Sequence, residues 1–346
     1  MAITHQLYDT STLLGVYRDM PEASNYWLNL LFPTAVTFTD EYIDFEKLTT
    51  QRKLAPFVAP TAQGRPIFSQ GSNITRFKPA YVKPKDAVTP TRLFKKLPGQ
   101  MLTPNAGTPL SRYNAIVADI LSTHRMAIER RWEWLAAQAA IDGKVLIEDE
   151  DYPARIVDFQ RDAANTITLT STARWGQSAA NILGNIEAWR TQVRLAKFGG
   201  PTNRLTVSPD VWDVMRKDAN VLAQLDTMTR GTTANLNTGV REGELVEYVG
   251  MLSGTLAVYV YSDYYELPNG TAVPYMPSGT VVLSGPNVQG IRAFGAIVDK
   301  KADFQALPVF PKMWEQEDPS ATFIMSQSAP LMVPVNPNNT LKATVL

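Results

Sequence analysis

The chain has 346 residues, and its 33 Lys and Arg balance 33 Asp and Glu to a formal net charge of zero. At 45% hydrophobic it holds ample material for a packed core, which excludes wholesale disorder, and its length suggests about two domains. The absence of cysteine excludes thiol catalysis, disulfides and thiolate metal sites and fits folding in a reducing cytosol. No apolar run approaches the ~18 residues that span a bilayer, and the first 20 residues lack the basic start and apolar centre of a signal peptide.

The N-terminal 33 residues read as short helical pieces. Ser11 is a candidate cap for the first, and Pro21 starts a second that carries Tyr26, Trp27, Leu30 and Leu31 before Pro33 stops it. Aromatic residues on so glycine-poor a segment predict an arm that packs on something. Residues 35–38 and 42–45 alternate as strands do. Residues 1–50 hold two bases and seven acids, a balance of −5.

The next segment reverses that sign. Residues 51–100 hold ten bases and one acid, a balance of +9, and the remaining residues sum to −4. Such a segment suits nucleic acid, an acidic surface on another copy of the chain, or plain solvation. Eight prolines between 51 and 106 exclude a central sheet strand, because proline removes a ladder donor. Residues 57–59 and 74–77 nevertheless have β character, with turn chemistry at 70–73. The segment reads as a long, basic, two-stranded ribbon, which is marginal alone and should lie on another surface.

Residues 109–142 give the clearest element. Thr108 can cap it, Pro109 suits its first position, and Gly143 offers a left-handed end. Tyr113, Ile116, Val117, Ile120, Leu121, His124, Ala127, Ile128, Trp132, Leu135 and Ala139 recur on one face. At 1.5 Å per residue this is a spine of about 50 Å. Strands are predicted at 154–159 and 166–170, then an amphipathic helix over 181–198. A strand at 205–207 and a helix capped by Ser208 follow. Further strands are expected at 245–249, 256–261, 281–283 and 291–298, with a last one over 322–333. Residues 227–239, rich in Thr, Asn and Gly, read as a mobile loop.

The catalytic inventory is thin. The two histidines are His5, in the arm, and His124, on the spine's apolar face, where a packed and satisfied role is favoured over a catalytic one. No nucleophile elbow, dinucleotide fingerprint or P-loop is present. Zinc lacks its ligands. The Glu148-Asp149-Glu150-Asp151 cluster could hold a hard cation but lacks the spacing of a calcium loop, and a solvated turn is favoured. A spine, a basic ribbon, an aromatic arm and no catalytic set point to a structural protein that assembles, with no enzyme activity and no cofactor.

Phe77-Lys78-Pro79-Ala80-Tyr81-Val82-Lys83-Pro84-Lys85, then Arg92-Leu93 and Leu97-Pro98, resembles the extended-loop region of the lambda-type major capsid proteins of tailed bacteriophages. The likeness continues at Gly290-Ile291-Arg292-Ala293-Phe294-Gly295, Pro311-Lys312-Met313-Trp314, Asp318-Pro319 and Met325-Ser326-Gln327-Ser328-Ala329-Pro330-Leu331-Met332, in the family's order. The resemblance implies an α+β, HK97-like capsid fold. It would have an N-terminal arm (1–50), an extended loop (51–106), a peripheral domain with the spine helix (107–180 and 300–346) and an axial domain (181–299). Loop 227–239 would then approach the capsomer axes. It implies a major head protein that forms hexamers and pentamers of an icosahedral shell around double-stranded DNA, held on the inner face without sequence specificity. A separate scaffolding protein, a portal at one vertex, a decoration protein and procapsid expansion come with it. The location implied is the virion, after assembly in the host cytoplasm and with no membrane. The sign alternation adds an expectation that Arg76, Lys78, Lys83, Lys85, Arg92, Lys95 and Lys96 contact neighbouring subunits, while Tyr26, Trp27, Leu30 and Leu31 pack the arm. The alternative is a nucleic-acid-binding protein that uses residues 51–100.

Overall fold

The computed structural model describes residues 8–19, 25–40, 42–48, 72–94, 109–149, 152–226, 245–303, 305–318 and 320–346. Two helices open it, α1 (Thr10–Asp19) and α2 (Tyr26–Leu31). Ser11 lies inside the first turn of α1 and donates to the Asp9 carboxylate at 2.8 Å, so it is not the cap. Helix α2 starts after Asn25, and Pro21 lies outside the described residues. Strands β1 (Thr34–Thr37), β2 (Ile43–Leu48), β3 (Ser72–Phe77) and β4 (Lys85–Val88) follow, then the short helix α3 (Pro90–Phe94).

The ribbon also takes in a strand that the sequence reading placed before it. The strand expected at 74–77 is present within β3, but its partner is β2, with Ile43 opposite Phe77 and Leu48 opposite Ser72. Residues 57–59, the expected partner, lie outside the described residues. Residues 43–48 contain no proline and can donate along the whole pairing. The ribbon thus begins at about residue 43 rather than 51.

The spine α4 (Pro109–Ile141) is 33 residues long. It stops at Gly143, whose φ of +67° is left-handed. A Cβ there would also sit 2.8 Å from Arg161 Cβ, so conformation and space both require glycine. The predicted face is buried except at Ala127, which is exposed. Arg125, Glu129 and Glu133 are buried as well, so the second half of the spine is enclosed well beyond one stripe.

Beyond the spine come β5 (Lys144–Asp149), β6 (Tyr152–Asp158), β7 (Thr166–Thr168), α5 (Ile182–Leu195), β8 (Arg204–Val207), α6 (Pro209–Met215) and α7 (Ala219–Gln224). Strands β9 (Leu225–Asp226), β10 (Val246–Leu252), β11 (Leu256–Tyr261), β12 (Tyr264–Glu266), β13 (Ala272–Pro274), β14 (Thr280–Ser284) and β15 (Ile291–Phe294) continue the chain. It closes with β16 (Phe310–Gln316), β17 (Ala321–Gln327), β18 (Pro330–Val333) and β19 (Thr340–Thr344).

A mixed seven-stranded sheet, ordered β7-β19-β14-β8-β11-β10-β9, forms one core with α5 and α6. Trp175 and Trp189 stack there at 5.8 Å. Strands β7 and β19 belong to this sheet, although the sequence division groups residues 166–180 and 300–346 with the spine. The single strand expected over 322–333 is two, β17 and β18, in different sheets, because Ser326, Gln327, Ser328 and Ala329 are buried on every side where the chain crosses between them. The last strand is β19, which the sequence reading missed. Its Leu341 and Ala343 face the core while Lys342 reaches the spine's end, at 2.6 Å from Asp142.

Two small sheets hold the spine. Sheet β16-β17-β4 packs Val88, Met313 and Ile324 against Tyr113, Ile116, Val117 and Ile120, with Leu13 of α1 in the same cluster. Sheet β1-β15-β18 supports the other half, where Trp132 meets Phe294 at 5.0 Å. Residues 227–239, the expected mobile loop, lie outside the described residues.

Candidate functional site

The arm is seated on its own chain. Trp27, Leu28, Leu31 and Phe32 are all at most 3% exposed, so α2 contributes a full hydrophobic face to the core. Tyr26 stacks on Tyr261 at 5.2 Å, and Trp27 meets the same ring edge-on at 5.8 Å. Leu30 is partly buried against the cluster. The Tyr26 hydroxyl pairs with Thr206 Oγ1 at 2.8 Å, and burial pushes its pKa up to about 12.

Glu133 and Arg292 hold the two ends of α2. At its start, Glu133 of the spine accepts the Trp27 N–H at 2.8 Å and the Leu28 N–H at 2.9 Å, two donors that a first turn leaves unpaired. Tyr261 donates to the same carboxylate at 3.1 Å. At its end, Arg292 of β15 donates to Phe32 O at 2.6 Å, Leu28 O at 3.3 Å and Asn29 Oδ1 at 2.8 Å. The Arg292 charge matches the negative end of the helix dipole. Gly290 brings β15 this close: its N–H donates to Leu31 O at 2.8 Å, and a Cβ would lie 2.3 Å from the Phe32 ring.

Helix α1 is held further along the spine. The Arg125 guanidinium donates to Tyr17 O, lies 4.8 Å from the Tyr17 ring centre, and pairs with Glu129 at 2.7 Å. Both partners of that ion pair are buried, which favours a specific seat over added stability.

The base of the ribbon joins the same centre. Phe77 packs edge-on against Phe159 at 5.6 Å. Gly295 admits Pro79, since a Cβ there would be 2.7 Å from its ring. Strand β4 pairs with β17, so Lys85 stands in a sheet rather than on a free loop. Of the cations singled out from sequence, Arg76 and Lys78 each lie 5.7 Å from the Tyr42 ring and Lys83 lies 5.0 Å from Tyr81. Lys85 lies 4.1 Å from Phe323 and 5.3 Å from Trp314. Arg92 approaches Asp119 at 3.9 Å. Lys95 and Lys96 lie outside the described residues, as do Glu150 and Asp151 of the acidic cluster. Asp149 approaches Arg131 at 3.7 Å.

His124 is packed and satisfied. Its Nδ1 lies 3.2 Å from Ser326 Oγ and its Nε2 lies 3.1 Å from Asp86 Oδ2, so it ties the spine to β17 and β4. A serine, a histidine and an aspartate in contact suggest nucleophilic chemistry, but Ser326 is completely buried and no substrate can reach it. Among the described residues no cluster of His, Asp and Glu could hold a metal ion, and no helix is long and apolar enough to cross a membrane.

The model of the family "Phage major capsid protein E" matches residues 9–345. The chain belongs to this family. The major capsid protein of Escherichia phage lambda is 30% identical over 340 residues, 96% of this chain and 97% of the relative. Phage N15's major capsid protein matches at the same identity and coverage, and that of Enterobacteria phage P21 is 30% identical over 337 residues. The crystal structure of a putative prophage capsid protein from E. coli CFT073 superposes with a TM-score of 0.73 at 24% identity, covering 98% of this chain and 99% of that one. The mature capsid of bacteriophage PhiM1 gives 0.51 at 12% identity, over 99% and 91%. The fold is HK97-like, α+β, as the sequence implied, and the protein is a structural component of the phage capsid shell, not an enzyme.

In the sequence the 290–295 block carries only a likeness to the family. Its physical content is Gly290 for close approach, Arg292 as clamp, buried Ala293 and Phe294, and Gly295 for Pro79. Glu133, Arg125 and Glu129 went unnoticed, because charged residues on an amphipathic helix are read as solvent-facing. The one available signal was their spacing: Arg125, Glu129 and Glu133 recur every four residues beside the apolar stripe.

Proposed function

We propose that this capsid protein forms hexamers and pentamers of an icosahedral shell around packaged double-stranded DNA. It assembles on a separate scaffolding protein, with a portal at one vertex and a decoration protein outside, and the shell expands from a procapsid. The observation that carries this reading is family membership over residues 9–345, nearly the whole chain. In it the arm (1–50) and extended loop (51–106) serve a spine-bearing peripheral domain (107–180, 300–346) and an axial domain (181–299), whose sheet also takes in β7 and β19.

The exposed Lys83 and Lys85 lean on aromatic faces, and among the described residues neither forms an ion pair with a carboxylate. Their charge remains available to an acidic patch on a neighbour, in line with the +9 balance of residues 51–100. Arg76, Lys78, Arg92, Lys95 and Lys96, of the same basic segment, are proposed to contact neighbouring subunits as well. Electron microscopy of the purified product tests the shell reading, and persistently monomeric protein under assembly conditions would overturn it. Lys83→Glu with Lys85→Glu tests the loop contact. The expected result is lower shell yield and dissociation at lower salt, and assembly identical to the unaltered protein would remove the contact.

A further inference from the structure

Glu133 is 1% exposed, and all three donors that face it belong to other elements: two backbone amides of α2 and the Tyr261 hydroxyl of β11. Among the described residues no Lys or Arg pairs with it. The ionisable groups around it are mostly acidic or phenolic. Asp263, after β11, adds repulsion, and Tyr275 lies beside Tyr261 with ring centres 6.4 Å apart. Tyr26 stacks on Tyr261 from α2. Arg130, on the spine itself, acts on Asp263 and Tyr275, and Arg292 is spent on the far end of α2.

We propose that Glu133 is a proton-operated latch for the N-terminal arm: protonated, it holds α2 on the spine, and ionised, it loosens that seat. The geometry accommodates the proton by reversing one hydrogen bond, so that the Tyr261 O–H turns away from the carboxyl. An O–H on Oε1 can donate to the Tyr261 oxygen, whose hydroxyl turns to accept, while Oε1 still takes the Trp27 amide and Oε2 the Leu28 amide. The ionised form keeps the same contacts but leaves a charge without a counterion in the core.

Burial raises the Glu133 pKa from 4.5 to about 7, outweighing the three hydrogen bonds that favour the charge. A released arm would return it to water and to its ordinary value. The seated state therefore binds the extra proton between pH 4.5 and about 7. Seating is strongest below 4.5 and weakens by up to about tenfold per pH unit until about 7, then levels off.

The latch is a property of the chain alone. Its use in freeing an arm to reach a neighbour rests on the shell reading, and the test below needs no shell. Hydrogen exchange of full-length protein would be followed between pH 5 and 8.5 in the peptide covering 26–32, as protection factors that remove the intrinsic pH dependence. Protection should fall with rising pH and level off above about 7, while strand Thr280–Ser284 stays constant. Glu133→Gln keeps the seat uncharged but must turn its amide N–H₂ toward one backbone N–H, so protection should be lower and independent of pH. Tyr261→Phe removes a bond that favours the charge and should move the midpoint upward. Flat wild-type protection, or an unchanged profile in Glu133→Gln, would overturn the proposal. If Glu133→Gln does not fold, a midpoint in Tyr261→Phe that stays put or falls does the same.

Discussion

Gly290→Ala adds one methyl group at the tightest joint between the arm and β15. The new Cβ would lie 2.3 Å from Phe32 Cδ1 and 2.4 Å from Leu31 O, where carbon contacts normally settle at ~3.5–4 Å. The gap must open by more than about 1 Å. Phe32 cannot yield, because it is completely buried. Leu31 O is backbone, and moving it stretches the 2.8 Å hydrogen bond from the residue-290 amide. Overpacking of this kind costs about 1–3 kcal/mol, and the weakened hydrogen bond about 1 kcal/mol more. Lower chain entropy in the unfolded state returns roughly 0.4–1 kcal/mol. The net is a loss of about 1–3 kcal/mol, concentrated on α2. Hydrogen exchange over 26–32 should accelerate by a factor of at least about 5, with a smaller change over β14. Phe32→Leu in the same chain should rescue only part of the loss, because the carbonyl clash remains. Unchanged exchange over 26–32 together with an unchanged melting temperature would show that the arm is not seated through this joint.

Two further predictions follow from the same surfaces. Gly15 lies within α1 with no atom within 4 Å of an added Cβ, so Gly15→Ala should stabilise the helix by about 0.5–1 kcal/mol, and faster exchange over Thr10–Asp19 would contradict the seat described for α1. Burial holds the His124 pKa below its ordinary 6.5 against the pull of Asp86, so the folded state binds fewer protons than the unfolded one. Its contribution is present above pH 6.5 and is lost as the pH falls through the folded value. The melting temperature of the unaltered protein should exceed that of His124→Gln at pH 8, and the difference should narrow toward pH 5. A constant difference would refute this sign.

Periodicity and punctuation carried the spine as far as its end at Gly143, because 3.6-residue burial and a left-handed stop are local properties. The same logic located β11 and α5. Local signals failed where burial is two-sided or compensated. The crossing at 326–329 is buried all round and shows no alternation. Strand β19 carries only two apolar residues, Leu341 and Ala343, too short a pattern to mark a strand before its partner strands are known. The part played by 43–48 in the ribbon was not legible, because pairing is decided across the chain rather than within one segment. Glu133 is the clearest case. Its partners at Trp27 and Leu28 stand 106 and 105 residues away, so nothing near it in sequence marks it as buried. The sequence by itself determined the spine, the charge alternation and membership in an assembling class, since these follow from residue type and spacing. Only the tertiary structure decided where the arm sits and which ionisable side chains hold it, because the state of a buried ionisable group depends on desolvation and on partners that folding alone brings together.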